Sequence, residues 1–162
     1  MKPETVHLAI VFADDTVGIM AFVTNDRRAG WTRSATVEEV EKEIARSSFD
    51  SEKLPVKSWV FIDHADVPKD RTYRNALRHD GETFSHDMSH ARELHRGLLR
   101  EARAYRLLEL DVAYLRADEQ GNTQEKGRIG AEKQRLRDIP AHPAIAAAQT
   151  IESLRAVWPM ES

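Results

Sequence analysis

The 162-residue sequence contains no cysteine, and this absence excludes several kinds of chemistry at once. Without a thiol there is no disulfide framework, no thiolate nucleophile and no cysteine-ligated zinc site. Long apolar runs are missing as well, since the run near the N-terminus extends only from Val6 to Ala13. A secretory signal needs a longer apolar region with a cleavage site, and a membrane span needs about 20 residues. We therefore expect a soluble protein that is made in the cytoplasm.

An excess of charge of one sign is also lacking. Lys and Arg number 24 and Asp and Glu 27, so the formal net charge is −3 at pH 7. A nucleic-acid-binding protein usually has a clustered basic face. Two basic groups stand near aromatic residues: Arg27, Arg28 and Arg33 near Trp31, and Arg71, Arg74 and Arg78 near Tyr73. Four aspartates surround the second group, which favours ion pairs within the chain, and nucleic acid is not the partner we expect.

The first part of the chain, residues 1–68, has the pattern of a small β-rich module. Apolar runs separated by turn residues predict three strands, at Val6–Ala13, Val17–Thr24 and Val56–Ile62. Before the third strand, Thr36 and Glu39 form a capping-box pattern ahead of a predicted helix. A three-stranded sheet covered by one helix can just be stable, so we expect a ββαβ unit.

The second part, residues 69–162, has a helical pattern. Asp70 is placed to begin a short helix over 71–79, a long helix is predicted over about 86–120, and a return helix over about 123–138, capped by Thr123. In the long helix, apolar residues recur at alternating three- and four-residue spacings, with Glu101 as the one poor fit. We call these residues the apolar stripe: Leu94, Leu98, Tyr105, Leu108, Val112 and Leu115. The predicted fold class is α+β.

The return helix has few apolar positions, and two glycines weaken it. It cannot cover the whole apolar stripe. We expect some stripe residues to serve the helical hairpin and the rest to pack on the β module or on another chain. Trp158 near the C-terminus is either a lid over this hairpin or an anchor for a partner.

The segment His86-Asp87-Met88-Ser89-His90 resembles the H-E-x-x-H pattern of zinc peptidases. Aspartate is shorter than glutamate, however, and would not reach the same metal-bound water. A third ligand is also needed, and His95 would lie about 180° around a continuous helix from His86. We therefore interpret the segment as a solvated first helical turn, and predict no metal ligand, no catalytic residue and no cofactor. A zinc-dependent hydrolase that uses this segment remains an alternative.

Several phrases resemble a known group of proteins. Residues 66–76, DVPKDRTYRNA, resemble the "VP-x-DRTFRNAW" segment of small proteins encoded near the tail-fibre genes of tailed bacteriophages and prophages. Further phrases resemble the helical C-terminal region of the same proteins: ARELHRGLLREAR, LDVAYLRADEQGN, KQRLRDIP and LRAVWP. The last two are also similar to the ending of phage tail-fibre assembly proteins. The resemblance covers roughly residues 60 to 160, although Leu77 stands where the pattern has tryptophan.

The resemblance implies a bacteriophage tail-region protein, either a tail-fibre assembly factor or a minor tail component. We accordingly expect a non-enzymatic protein that binds other tail or tail-fibre proteins through the apolar stripe and Trp158, with a homo-oligomer left open. Its expected location is the host cytoplasm during assembly, with the virion left open. An inhibitor of a host defence system is an alternative function of a different kind, because small, charged, cysteine-free interaction proteins suit that role too.

Overall fold

The computed structural model describes residues 5–23, 42, 44–46 and 55–157. The chain forms two compact units, residues 1–87 and 88–162. The first holds small antiparallel sheets and the second holds long helices, so the predicted α+β class is confirmed. Residues 69–87 belong to the first unit, whereas the sequence pattern had placed them with the helices.

The first unit is built on a three-stranded antiparallel sheet. Its strands are β1 (Thr5–Phe12), β2 (Val17–Val23) and β3 (Val56–Ile62), in the order β2-β1-β3. The turn between β1 and β2 is held by Asp14, whose carboxylate accepts hydrogen bonds from the backbone N–H and hydroxyl of Thr16 at 3.0 and 2.6 Å. All three predicted strands are confirmed, with ends that differ by at most one residue.

One face of this sheet carries the core of the first unit. The buried residues Leu8, Ile10 and Phe12 alternate along β1 and pack with Met20. Ile44, in a segment whose described residues are helical, joins the same cluster. Ile44 thus lies against the sheet. Thr36 and Glu39 of the predicted capping box lie outside the described residues.

The short helix predicted over residues 71–79 is wrong. A 3-10 turn at Arg74–Ala76 leads into a two-stranded antiparallel ribbon of β4 (Leu77–His79) and β5 (Phe84–His86). Asp80 closes the ribbon by accepting the backbone N–H groups of Glu82 and Thr83 at 2.9 and 2.8 Å. A nine-residue helix is marginal by itself, so hairpin pairing and burial outweigh the local helical pattern.

The second unit begins with α1 (Met88–Glu119), which turns back into α2 (Thr123–Asp138). The turn is a Schellman motif: Gly121 has φ +65°, and its N–H and that of Asn122 reach the carbonyls of Asp118 and Ala117 at 2.9 and 2.8 Å. The predicted helix stop is therefore confirmed. The predicted cap is wrong by one residue, because Asn122 accepts the N–H of Glu125 and Thr123 is the first helical residue.

Two short helices, α3 (Pro143–Ala147) and α4 (Ile151–Arg155), complete this unit. Thr150 begins α4 with a capping box, in which its hydroxyl accepts the N–H of Ser153. The buried residues of α1 lie on one side of that helix: Ala91, His95, Leu99, Leu110 and Ala117. They share the core of the unit with residues of α2 and of the C-terminal segments: Ile129, Leu136, Ile139, Ile145, Ile151 and Leu154.

Candidate functional site

The apolar stripe lies at the surface of α1. Tyr105, Leu108, Val112 and Leu115 are 72%, 64%, 49% and 61% exposed, and they are the large exposed hydrophobic residues among those that the structure describes. Leu94 and Leu98 are half-buried. Trp158, the remaining predicted contact residue, lies outside the described residues. Four consecutive stripe residues therefore form an apolar surface about 15 Å long, since an α-helix rises 1.5 Å per residue.

The exposed stripe and the buried side of α1 lie on opposite sides of the helix. At 100° per residue, buried Leu110 lies about 140° to 160° around the helix from Tyr105, Leu108 and Leu115. The core of the second unit thus uses Leu99 and Leu110. The four exposed stripe residues lie away from this packed side, whereas Leu94 and Leu98 are partly covered.

Ion pairs to α2 hold the C-terminal half of α1. Asp111 pairs with Lys133 and Asp118 with Lys126, and the two lysine ammonium groups lie 5.1 and 5.3 Å from the centre of the Tyr114 ring. The hydrogen bond to Asp118 raises the pKa of Lys126 above its ordinary value. These contacts join α1 to α2 beside the apolar stripe, so the part of α1 that carries the stripe is stabilised by α2.

Hydrogen bonds to backbone carbonyls hold the N-terminal half of α1. Arg103 donates to the carbonyl oxygens of Leu136 and Arg137 at 2.8 and 2.5 Å, at the end of α2. Arg92 donates twice to the carbonyl of Ala148, at 3.1 and 2.8 Å. Arginine is suited to this role because its planar fork reaches several acceptors in one orientation. Both halves of α1 are therefore tied to the rest of the second unit.

His95 is a structural residue that the sequence reasoning missed. Its side chain is 1% exposed, and its Nε2 lies 2.9 Å from the carbonyl oxygen of Val157. A carbonyl only accepts, so Nε2 carries the proton and the imidazole links α1 to the C-terminal segment. The signal for this role was the four-residue spacing of Ala91, His95 and Leu99, which places the three on one helix side.

The zinc-like segment does not form the predicted helical turn. His86 is the last residue of β5, and His90 lies in the first turn of α1. Asp87 accepts a hydrogen bond from Arg78 at 3.1 Å, and its backbone N–H donates to the carbonyl of Ala76. A zinc site of the H-E-x-x-H type needs both histidines on one helix, and His86 and His90 do not meet this condition. Among the described residues, no group of three or more His, Asp or Glu is placed to hold a metal ion.

A cavity of about 360 Å³ lies in the first unit, next to the β4–β5 ribbon. His79 lines it: Nδ1 accepts the N–H of Gly81 at 3.0 Å, and Nε2 is buried without a hydrogen-bond partner in the described structure. The cavity also has three carboxylate residues among its lining: Phe61, Ile62, Asp63, Asp66, His79, Gly81, Glu82, Thr83 and Phe84. No sequence pattern indicates this cavity, because residues 71–79 have a helical pattern and the ribbon forms instead.

Comparison with known proteins gives no relative from which a function could be transferred. No family model, no curated protein and no solved structure matches the chain. Within the part of the chain that the structure describes, no helix is both long enough and apolar enough to cross a membrane.

Proposed function

We propose that this chain is a non-enzymatic assembly protein that binds other protein chains through the apolar stripe of α1. The observation that supports this proposal is the exposure of Tyr105, Leu108, Val112 and Leu115 along one side of a helix whose opposite side is packed. Contiguous apolar patches are uncommon on monomeric proteins and mark interaction sites. Amphipathic helices that dock through residues at such spacings are a recurring mode of protein recognition.

Covering the stripe with a partner would remove apolar surface from water, which favours association. Moving a leucine or valine side chain from water into an apolar contact is worth about 1.5–3 kcal/mol. Leu108, Val112 and Leu115 together offer enough to offset a substantial part of the cost of association, which is about 4–15 kcal/mol. Tyr105 also brings a hydroxyl that can remain solvated at the edge of an interface.

The biological setting that we propose is assembly of a bacteriophage tail or tail fibre. This part rests on the sequence resemblance alone. The phrases that carry it include residues 91–103 and 110–122, which contribute to α1 and to the turn after it. The same proposal includes partners from the tail region and a location in the host cytoplasm. It also includes the absence of a catalytic function.

Photo-crosslinking in phage-producing cells tests the proposal. Tyr105 is replaced by the photoreactive residue p-benzoylphenylalanine, which has a similar aromatic body, and Ala131 on the exposed side of α2 is replaced in a matched control. We expect covalent adducts with another protein chain at position 105 and few at position 131. Crosslinks that stay within the same chain at position 105 would overturn the protein-binding role. Adducts with proteins unrelated to tails would refute the tail setting while leaving that role intact.

A further inference from the structure

The apolar stripe has the spacing of a coiled-coil contact surface. Leu98, Tyr105 and Val112 follow each other at intervals of seven residues. A second set has the same interval and consists of Leu94, Glu101, Leu108 and Leu115, so Glu101 is its one polar member. Alternation of two such sets gives a seven-residue apolar repeat, which is the repeat through which two helices pack side by side. The stripe therefore fits a single long helix better than it fits a sheet edge or an irregular loop.

Glu101 decides the direction in which a second α1 could pack. In a parallel pair of identical helices, each residue of the repeat meets the same residue of the other helix, so Glu101 would face Glu101 in the contact layer. Two carboxylates at that distance repel each other. In an antiparallel pair the two glutamates lie apart, and each meets an apolar residue. Self-association of this stripe is therefore compatible with the antiparallel direction.

The charges of α1 favour the same direction. Residues 88–106 contain five arginines and two glutamates, a formal charge of +3, whereas residues 107–119 contain four acidic residues and one arginine, a formal charge of −3. An antiparallel pair places the basic half of each helix beside the acidic half of the other. Such complementarity favours encounter and fixes the direction of pairing.

We propose that a second copy of this chain covers the apolar stripe, with the two α1 helices antiparallel about a twofold axis near Arg106 and Leu107. The inference rests on the proposed protein-binding role of the stripe and names the partner. A twofold axis makes the contact self-complementary, as in most homodimers. Leu98 then lies opposite Leu115 of the second copy, and Tyr105 opposite Leu108, each pair occurring twice.

This register also brings opposite charges together beside the stripe. Arg106 lies near Glu109 of the second copy, and Arg100 near Asp111 of the second copy. Within one chain Arg106 already donates to Glu109 at 2.9 Å, and both side chains are about half-exposed, so the same two residues can form a four-membered cluster across the axis. Small residues border the N-terminal half of the stripe and allow close approach of a second helix: Gly97, Ala102 and Ala104.

The contact is of limited size, which sets the expected affinity. In this register the two stripes overlap from Leu98 to Leu115, which is roughly 26 Å at 1.5 Å per residue. A pair of helices in contact over this length gives an interface at the low end of the range for specific complexes. We therefore expect a dimer that dissociates on dilution.

Cysteine crosslinking tests the direction of pairing, and the natural sequence has no thiol to interfere. Leu98→Cys and Leu115→Cys are purified separately, then oxidised mildly, alone and as an equimolar mixture. The antiparallel register predicts that the mixture forms a disulfide-linked dimer joining position 98 to position 115, identified by peptide mass, and that each variant alone forms several-fold less. Efficient crosslinking of each variant alone would overturn the antiparallel arrangement.

Two further results distinguish this inference from the proposed function. Wild-type protein that remains monomeric at every concentration, with no crosslinked dimer, would refute the second copy as partner; crosslinks from position 105 to a different protein would then still support the protein-binding role. Glu101→Leu removes a charge from the contact layer, so we expect dimer affinity to rise at least about tenfold. A fall in affinity would show that Glu101 meets a basic group and would contradict the proposed register.

Discussion

Leu108 and Leu110 offer a matched test of which side of α1 is the core. They are two residues apart in one helix, but Leu110 is 4% exposed and Leu108 is 64% exposed. The same substitution, leucine to alanine, changes helix propensity by the same small amount at both positions. Any large difference between the two variants therefore comes from burial.

The expected magnitudes differ several-fold. Leu110→Ala removes a buried side chain and leaves a cavity in the core of the second unit, which lowers the free energy of unfolding by about 2–5 kcal/mol. Leu108→Ala changes a solvent-exposed position, where substitutions usually lie within about 0.5 kcal/mol. The contrast holds for the monomer, because a partner that covers Leu108 would add its own stabilisation.

Urea unfolding monitored by circular dichroism, at the lowest usable protein concentration, measures both values. Repeating it at high concentration should stabilise the wild-type protein and leave Leu108→Ala less stabilised. A loss of 2 kcal/mol or more for Leu108→Ala in dilute solution, or no loss for Leu110→Ala, would refute the assignment of the two sides of α1.

Three further predictions concern single residues. His95→Ala should lower the free energy of unfolding by roughly 1–3 kcal/mol, because the carbonyl of Val157 loses its donor; unchanged urea unfolding would contradict the role of His95 as a link. Gly121→Ala should cost about 1–2 kcal/mol, since φ is +65° and no atom crowds the site; a stabilised variant would show that the turn is not left-handed. Burial, and then the neighbouring His64, lower the pKa of His7 in the folded protein. Just below the ordinary pKa near 6.5 the unfolded state therefore binds more protons than the folded state does. The first unit should accordingly lose stability as pH falls through that range. An NMR titration should give His7 a low pKa that rises partly in His64→Ala; an ordinary pKa would refute this.

Much of the fold followed from local patterns in the sequence. The three strands have clear apolar runs. Gly121 and Asn122 separate α1 from α2: their N–H groups bind the last carbonyls of α1, and the Asn122 side chain accepts an N–H from the first turn of α2. Such features act within a few residues of each other, so a single sequence contains them. The β4–β5 ribbon did not follow, because its helical pattern is overridden by hairpin pairing and by burial of Tyr73 and Leu77.

The candidate site was predictable only in part. The repeat identified the apolar stripe, but it did not show that a second apolar side, with Leu99 and Leu110, would form the core. Both sides of α1 carry leucines. The repeat alone does not indicate which of the two sides is covered by the rest of the chain. The sequence suggests His95 as a third metal ligand, although a histidine between Ala91 and Leu99 fits a buried hydrogen-bonded position equally well.

Sedimentation of the wild-type protein and of Leu108→Asp, across a wide range of concentrations, tests the central claim most directly. A folded Leu108→Asp variant, checked by circular dichroism, isolates the stripe from the core, and Ala131→Asp is the matched control. We predict that wild type and control reach twice the monomer mass as concentration rises, whereas Leu108→Asp stays monomeric and folded. A wild-type monomer at all concentrations, together with an unfolded Leu108→Asp variant, would mean that the stripe is covered within the chain, and would contradict the account.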